Sequence, residues 1–175
     1  MLTAAVLGLL RLDTYQVGSI VDDAHYVVLA ESLASGQGYR LINELTPTEE
    51  STFPPGWPLL LAPFVALTPG HYGILQLFAL LCWLTAIPVI HRYFSARSGP
   101  RETVAVMAFV ALNPDMVGLS GAVMSEPAYI LASFLCLTLV DRLEASEADR
   151  ARGASWCSAG FSPSSRCRFA RSGCH

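Results

Sequence analysis

Two adjacent carboxylates, Asp22 and Asp23, have the plainest capacity for chemistry in this sequence. They open a segment in which Tyr26, Leu29, Ala30 and Leu33 recur at the spacing of one helical face. A carboxylate beside an apolar surface holds its proton more tightly, and a neighbouring like charge acts in the same direction. Such a group can take a proton from an acceptor hydroxyl as a general base. The same residues also suit helix capping, because acids in a first turn complement the helix dipole. Residue type alone leaves both readings open. Glu126, in Ser125-Glu126-Pro127, is a further candidate acid. It either caps a helix opening at Pro127, a residue suited to the first helical position, or is a functional carboxylate near membrane depth. Asp115 follows Pro114 at an expected kink, where bonding freed backbone groups is the simpler role.

Binding residues surround these acids. Phe53-Pro54-Pro55-Gly56-Trp57-Pro58 is a stiff turn carrying an aromatic. Trp57 suits a headgroup-level anchor. With Pro54 and Pro55 it also suits a wall against sugar or lipid. His25 and Tyr26 follow the acid pair and could help hold an anionic headgroup, although a lone histidine is more often structural. The cysteines make no metal pattern. Cys82 and Cys136 lie in apolar blocks as small hydrophobes. Cys157, Cys167 and Cys174 lie near the C-terminus, none within a CxxC pair. No cofactor is implied, and the sequence leaves any divalent-metal requirement open.

The elements that must position these residues are apolar blocks. Hydrophobic residues are 53% of the 175 and charged residues 14%, against about 25% charged in soluble domains. The mean hydropathy is +0.44. The expected fold is an all-α integral membrane protein with about four transmembrane helices, near 1–15, 71–91, 103–122 and 127–141. His71–Ile90 is of full length. Thr103–Ala122 is interrupted by Asn113-Pro114-Asp115, and Ala128–Val140 is bounded by Pro127 and Asp141. Crossing a bilayer takes about 20 apolar residues, so Met1–Leu12 reads as the outer part of a longer helix.

Arginine placement gives the topology. All eleven basic residues are arginine. Arg92, Arg97 and Arg101 mark one cytoplasmic loop, and Arg142, Arg150 and Arg152 another. The stretch Asp13–Gly70 carries seven acids and only Arg40, so the long first loop, 16–70, is expected outside, with juxtamembrane helices in it. Pro55–Thr68 is broken by Pro58 and Pro63 and reads as a juxtamembrane or re-entrant helix. Asp22–Ser35 reads as an amphipathic helix on the membrane surface, with Ser19 and Asp22 in capping-box spacing and Ser35-Gly36 as its stop. Asn43–Thr52 is polar and irregular. A net charge of −3 says little about nucleic acid, but no basic stripe with interleaved aromatics is present, which sets a nucleic-acid partner aside. Residues 1–152 therefore form a membrane region, and 153–175 an atypical tail without Leu, Ile, Val, Met or acid. That tail reads as cytoplasmic and disordered or as translated out of frame.

The ordered set Asp22-Asp23-Ala24-His25-Tyr26, Ala30 through Gly38-Tyr39, Phe53-Pro54-Pro55-Gly56 and Ser125-Glu126-Pro127 resembles the N-terminal part of a known superfamily. It is the dolichyl-phosphate-mannose-protein mannosyltransferase-like group, which includes the bacterial aminoarabinose transferases. The resemblance covers roughly residues 10–150. It implies a class C glycosyltransferase fold in the bacterial inner or plasma membrane. It implies inverting transfer of a sugar from a polyprenyl-phosphate donor to a hydroxyl of a lipid, glycan or protein at the outer face. The family's first-loop aspartate matches Asp22, the acid beside it Asp23, and its acid-Pro pair Glu126-Pro127. Some relatives carry Lys where this chain has Phe53, which leaves Arg40 and His25 as candidates for the carrier phosphate. Family members continue through many more spans, so the chain alone is expected to be inactive or very weak. The competing readings are a non-catalytic polyprenyl-lipid-binding membrane protein and a transporter fragment using Glu126 and Asp115.

Overall fold

The computed structural model describes residues 2–11, 17–18, 20–46, 48–50, 52–119 and 121–158. The chain divides into two compact units, Met1–Leu135 and Cys136–His175. In chain order the elements are α1 (Leu2–Arg11), α2 (Val21–Ala34), β1 (Arg40–Leu41), β2 (Thr48–Glu49), α3 (Gly56–Leu67), α4 (Gly73–Ser95), α5 (Pro100–Leu112), α6 (Pro114–Leu119) and α7 (Glu126–Ser158). The protein is thus mostly helical. The described part of the second unit is the continuation of α7 from Cys136 to Ser158.

Among the described residues, α4 alone is long and apolar enough to cross a membrane. The other three expected spans take different forms. The described helix of the first, α1, has 10 residues. The stretch Thr103–Ala122 divides at Asn113, which is extended with φ −61° and ψ 116°, as suits a residue preceding proline. Its Oδ1 accepts from the backbone N–H groups of Asp115 (2.9 Å) and Met116 (3.2 Å). Asn113 thereby caps α6, with Pro114 in the first helical position. The backbone groups expected to turn to Asp115 are served by the Asn113 amide instead. α7 runs for 33 residues, but Asp141, Arg142, Glu144 and Glu147 end its apolar part.

The helix expected over Asp22–Ser35 is present as α2. Its C-terminus is a Schellman motif: Gln37 N–H donates to Ser32 O (3.0 Å) and Gly36 N–H to Leu33 O (3.1 Å). Gly36 has φ +74°, a conformation that glycine adopts without a Cβ penalty. Ser19, the expected capping residue, lies outside the described residues. The cap position is Ile20, which supplies no side-chain bond. Tyr26, Val27 and Ala30 pack on Leu61 and Val65 of α3 and on Leu75 and Ala79 of α4. The apolar face of α2 is therefore filled by protein, whereas periodicity had pointed to a membrane surface.

α4 threads two clusters with one face. Leu75 and Ala79 belong to the cluster around α2 and α3, and Trp83, Ala86, Ile87 and Ile90 to a second cluster. Met107, Val110, Met116, Leu131 and Phe134 pack against the second. The four-then-three spacing of these positions is that of a helical stripe. Gly8 of α1 is buried against α4, where a Cβ would overlap the Leu80 side chain. The loop Asn43–Thr52 is more regular than its composition suggests. Within it β2 pairs antiparallel with β1, Arg40 opposite Glu49 and Leu41 opposite Thr48.

Candidate functional site

The sequence motifs around residues 25, 53 and 125 meet in the first unit. Tyr26, on the buried face of α2, places its hydroxyl 3.2 Å from Ser125 Oγ. Phe53 packs edge-on to Tyr26 at 5.3 Å between ring centroids and stacks on His25 at 4.9 Å. The loop carrying Phe53 is held in turn by Tyr39, whose hydroxyl donates to Phe53 O (2.8 Å). Burial raises the Tyr39 pKa above the ordinary tyrosine value, and the nearby Glu50 carboxylate and Tyr26 add to the effect. Trp57, in the first turn of α3, is buried and stacks on Phe78 of α4 at 5.6 Å. Its indole N–H donates to Val123 O (3.2 Å). Two side chains from two helices thus hold the segment that leads into α7.

That segment shapes a cleft of about 400 Å³, within the size range of small-molecule sites. Tyr26, Pro54, Gly56, Trp57 and Leu60 line one side, and Ser125, Glu126, Ala128, Tyr129 and Ala132 the other. Tyr129 N–H donates to Ser125 O (2.9 Å), so Ser125 is the residue from which α7 starts. Its hydroxyl faces Tyr26. Glu126 is half-buried, and its Oε2 is enclosed without a hydrogen-bond partner.

The acid pair is split. Asp22 is exposed, while Asp23 is 1% exposed. Asp23 Oδ1 accepts from Gly18 N–H (3.0 Å), which ties the incoming loop to the first turn of α2. His25 Nδ1 lies 2.9 Å from Val21 O. A carbonyl only accepts, so Nδ1 is the donor in this contact. Arg40 pairs with Glu49 at 3.1 Å across the hairpin, both side chains exposed.

The structure therefore brings Tyr26, Pro54, Trp57 and Glu126 to one cleft. Asp22, Asp23, His25, Arg40 and Pro55 are not among its lining residues. Sequence reasoning did not single out Leu60, Ala128, Tyr129 or Ala132. The i, i+4 pair of alanines after Glu126 was the legible signal, since small residues on one helical face leave room beside it. Among the described residues, no group of three or more His, Cys, Asp or Glu is disposed to hold a metal ion. No family model, curated protein or solved structure matches the chain.

Proposed function

We propose that this chain is an integral membrane protein and the N-terminal part of a class C membrane glycosyltransferase. In this reading, a sugar passes from a polyprenyl-phosphate carrier to a hydroxyl of a lipid, glycan or protein acceptor at the outer face. Asp22 is the general base. Glu126 and the Trp57 turn line the cleft between α3 and the start of α7. The observation that carries the reading is the meeting of the three motifs: His25 on Phe53, Tyr26 on Ser125 and Trp57 on Val123. A chain in which these motifs were unrelated loops would have no need of such connections across 99 and 66 residues.

Membrane placement is part of the proposal. α4 is the first crossing to consider, since half of its most apolar window is unburied within the protein. Leu77 and Leu81 lie on its outward side. α1, the α5–α6 pair and the apolar start of α7 are the three further crossings. Residues 16–70 then lie outside. A phosphate leaving group held at the membrane surface asks little of the protein beyond positioning and removal of a proton. Asp22, exposed in the first turn of α2, has a carboxylate free to meet an incoming hydroxyl.

Two measurements test this. The chain in nanodiscs is exposed to a photoactivatable polyprenyl phosphate. Labelling of residues 53–60 or 125–132, competed by unlabelled polyprenyl phosphate and not by phosphatidylcholine, is expected. Uniform labelling that phosphatidylcholine competes would overturn the class. The counterpart of Asp22→Asn in an intact homologue should lower transfer by about 10²–10⁴-fold with normal folding, the usual contribution of a general base. Unchanged transfer returns Asp22 to a helix-terminal role.

A further inference from the structure

The corner between α4 and α5 is rich in positive charge. Arg92 lies in the last turn of α4, Arg97 in the connecting turn and Arg101 in the first turn of α5. All three are exposed. Arg97 is held in place: its guanidinium carbon lies 3.7 Å from the centre of the Tyr93 ring, and Nη1 donates to Tyr93 O (2.9 Å). Among the described residues, Arg92 and Arg101 have no ion-pair partner. Between Ser51 and Arg101 the sequence has no acid. The next one, Glu102, is folded back against Gly99 at the start of α5, where it meets the positive end of that helix.

Helix electrostatics accounts for only part of this. A cation in the last turn of α4 complements its dipole, so Arg92 needs no outside partner. Arg101 is the reverse case, for in the first turn of α5 the dipole opposes its charge. Topology asks that arginines stay on one side of a membrane, but not that one occupy this turn. An unpaired guanidinium at an unfavourable helix end points to an anion outside the protein. The apolar part of α4 ends at Ile90, and Tyr93 and Phe94 follow, rings of the kind that sit at headgroup level.

We propose that the α4–α5 corner binds the headgroups of acidic phospholipids in the cytoplasmic leaflet. A charged surface needs no pocket, only cations at one depth, and the guanidinium fork matches phosphate oxygens. A juxtamembrane arginine gains from such a surface within about one Debye length. The inference rests on α4 crossing the membrane, which is part of the function proposed above, and not on sugar transfer.

The test uses the full chain in phosphatidylcholine vesicles that contain spin-labelled phosphatidylcholine or spin-labelled phosphatidylglycerol. Electron paramagnetic resonance separates lipid held at the protein from bulk lipid. Phosphatidylglycerol is expected to associate about twofold or more above phosphatidylcholine. One arginine gives about fivefold at its own position, and the signal averages over the whole lipid shell. The double change Arg92→Gln and Arg101→Gln should lower the preference by about half or more. Arg92→Lys with Arg101→Lys keeps the charge and should keep the preference, which separates charge from any loss of folding. Raising the salt to about 1 M, where the Debye length is about 3 Å, should weaken it. Equal association of the two lipids with the wild type overturns the proposal. So does a preference that survives the glutamine pair, or one that the lysine pair abolishes. If no lipid at all is held at the protein, the membrane placement of α4 fails as well. Held lipid without preference overturns this inference alone.

Discussion

Truncating Trp57 should loosen the whole approach to α7. The side chain is 5% exposed, stacks on Phe78, and donates its indole N–H to Val123 O at 3.2 Å. Trp57→Phe keeps most of the ring and deletes the donor. Val123 is fully buried, so its carbonyl loses this partner in a place that water does not reach. The expected cost is about 1–3 kcal/mol. Trp57→Ala also removes the ring and leaves a void against Phe78 and Leu61, for about 3–5 kcal/mol in all. Against a total stability of roughly 5–15 kcal/mol, the second change leaves a marginal protein. Tyr26→Phe removes the other hold on the same segment, the contact with Ser125. Because Trp57 and Tyr26 pin residues 123 and 125, the two losses should not add. Once one pin is gone the segment moves, and the second bond is worth less, by about 0.5 kcal/mol or more. Unfolding titrations of the wild type, Trp57→Phe, Tyr26→Phe and the double variant in one detergent measure the cycle. Strict additivity, or a Trp57→Ala cost under about 1 kcal/mol, would refute the view that these side chains jointly fix the cleft.

Three further outcomes follow from the geometry. Asp23→Ala strips the acceptor from Gly18 N–H at a position 1% exposed. It should destabilise by about 1–3 kcal/mol in the same titrations, while Asp22→Ala on the exposed face should stay within about 0.5 kcal/mol. Gly36→Ala meets no steric neighbour but must hold φ +74°; a cost near 1 kcal/mol is expected, and a neutral result would mean that the Schellman turn relaxes freely. The Tyr72 pKa lies above the ordinary value because the neutral phenol donates to Glu31, with burial and the Glu31 charge adding to the effect. A raised folded pKa means that the link stabilises the fold fully below the unfolded tyrosine value near 10 and is lost as pH rises through the folded one. Ultraviolet titration should show a late-ionising tyrosine that Glu31→Gln shifts downward.

Local patterns reached far in this chain, and long-range packing set their limit. The 3.6-residue spacing of Tyr26, Leu29 and Ala30 with Ser35-Gly36 located α2 to within a residue, because periodicity and a left-handed stop are local properties. Which surface would receive the apolar face was beyond periodicity. Lipid and the Leu61–Val65 face of α3 look alike from within α2. Asn113-Pro114 was legible as a break, although the capping atom proved to be the Asn113 amide rather than the Asp115 carboxylate. Arg40 was a free cation in the sequence and is half of a cross-strand pair in the fold. That pairing needed the register of a two-residue ladder, which a polar loop does not advertise.

The three candidate acids now have distinct physical roles. Asp23 is enclosed, and one of its oxygens is committed to the loop at Gly18. Glu126 is half-buried, and its Oε2 is enclosed without a hydrogen-bond partner. Asp22 is exposed. A general base must reach the proton that it abstracts and release it again. Asp23 fails the first condition unless α2 frays. Glu126 Oε2 is likewise shut away from an incoming hydroxyl. Asp22 is open to solvent without rearrangement, and it sits in a first turn where the helix dipole favours its charge. The adjacency of Asp22 and Asp23 thus has a structural sense. A helical step of about 100° sends one carboxylate outward and its neighbour into the core. The inner one can then anchor the turn that presents the outer one.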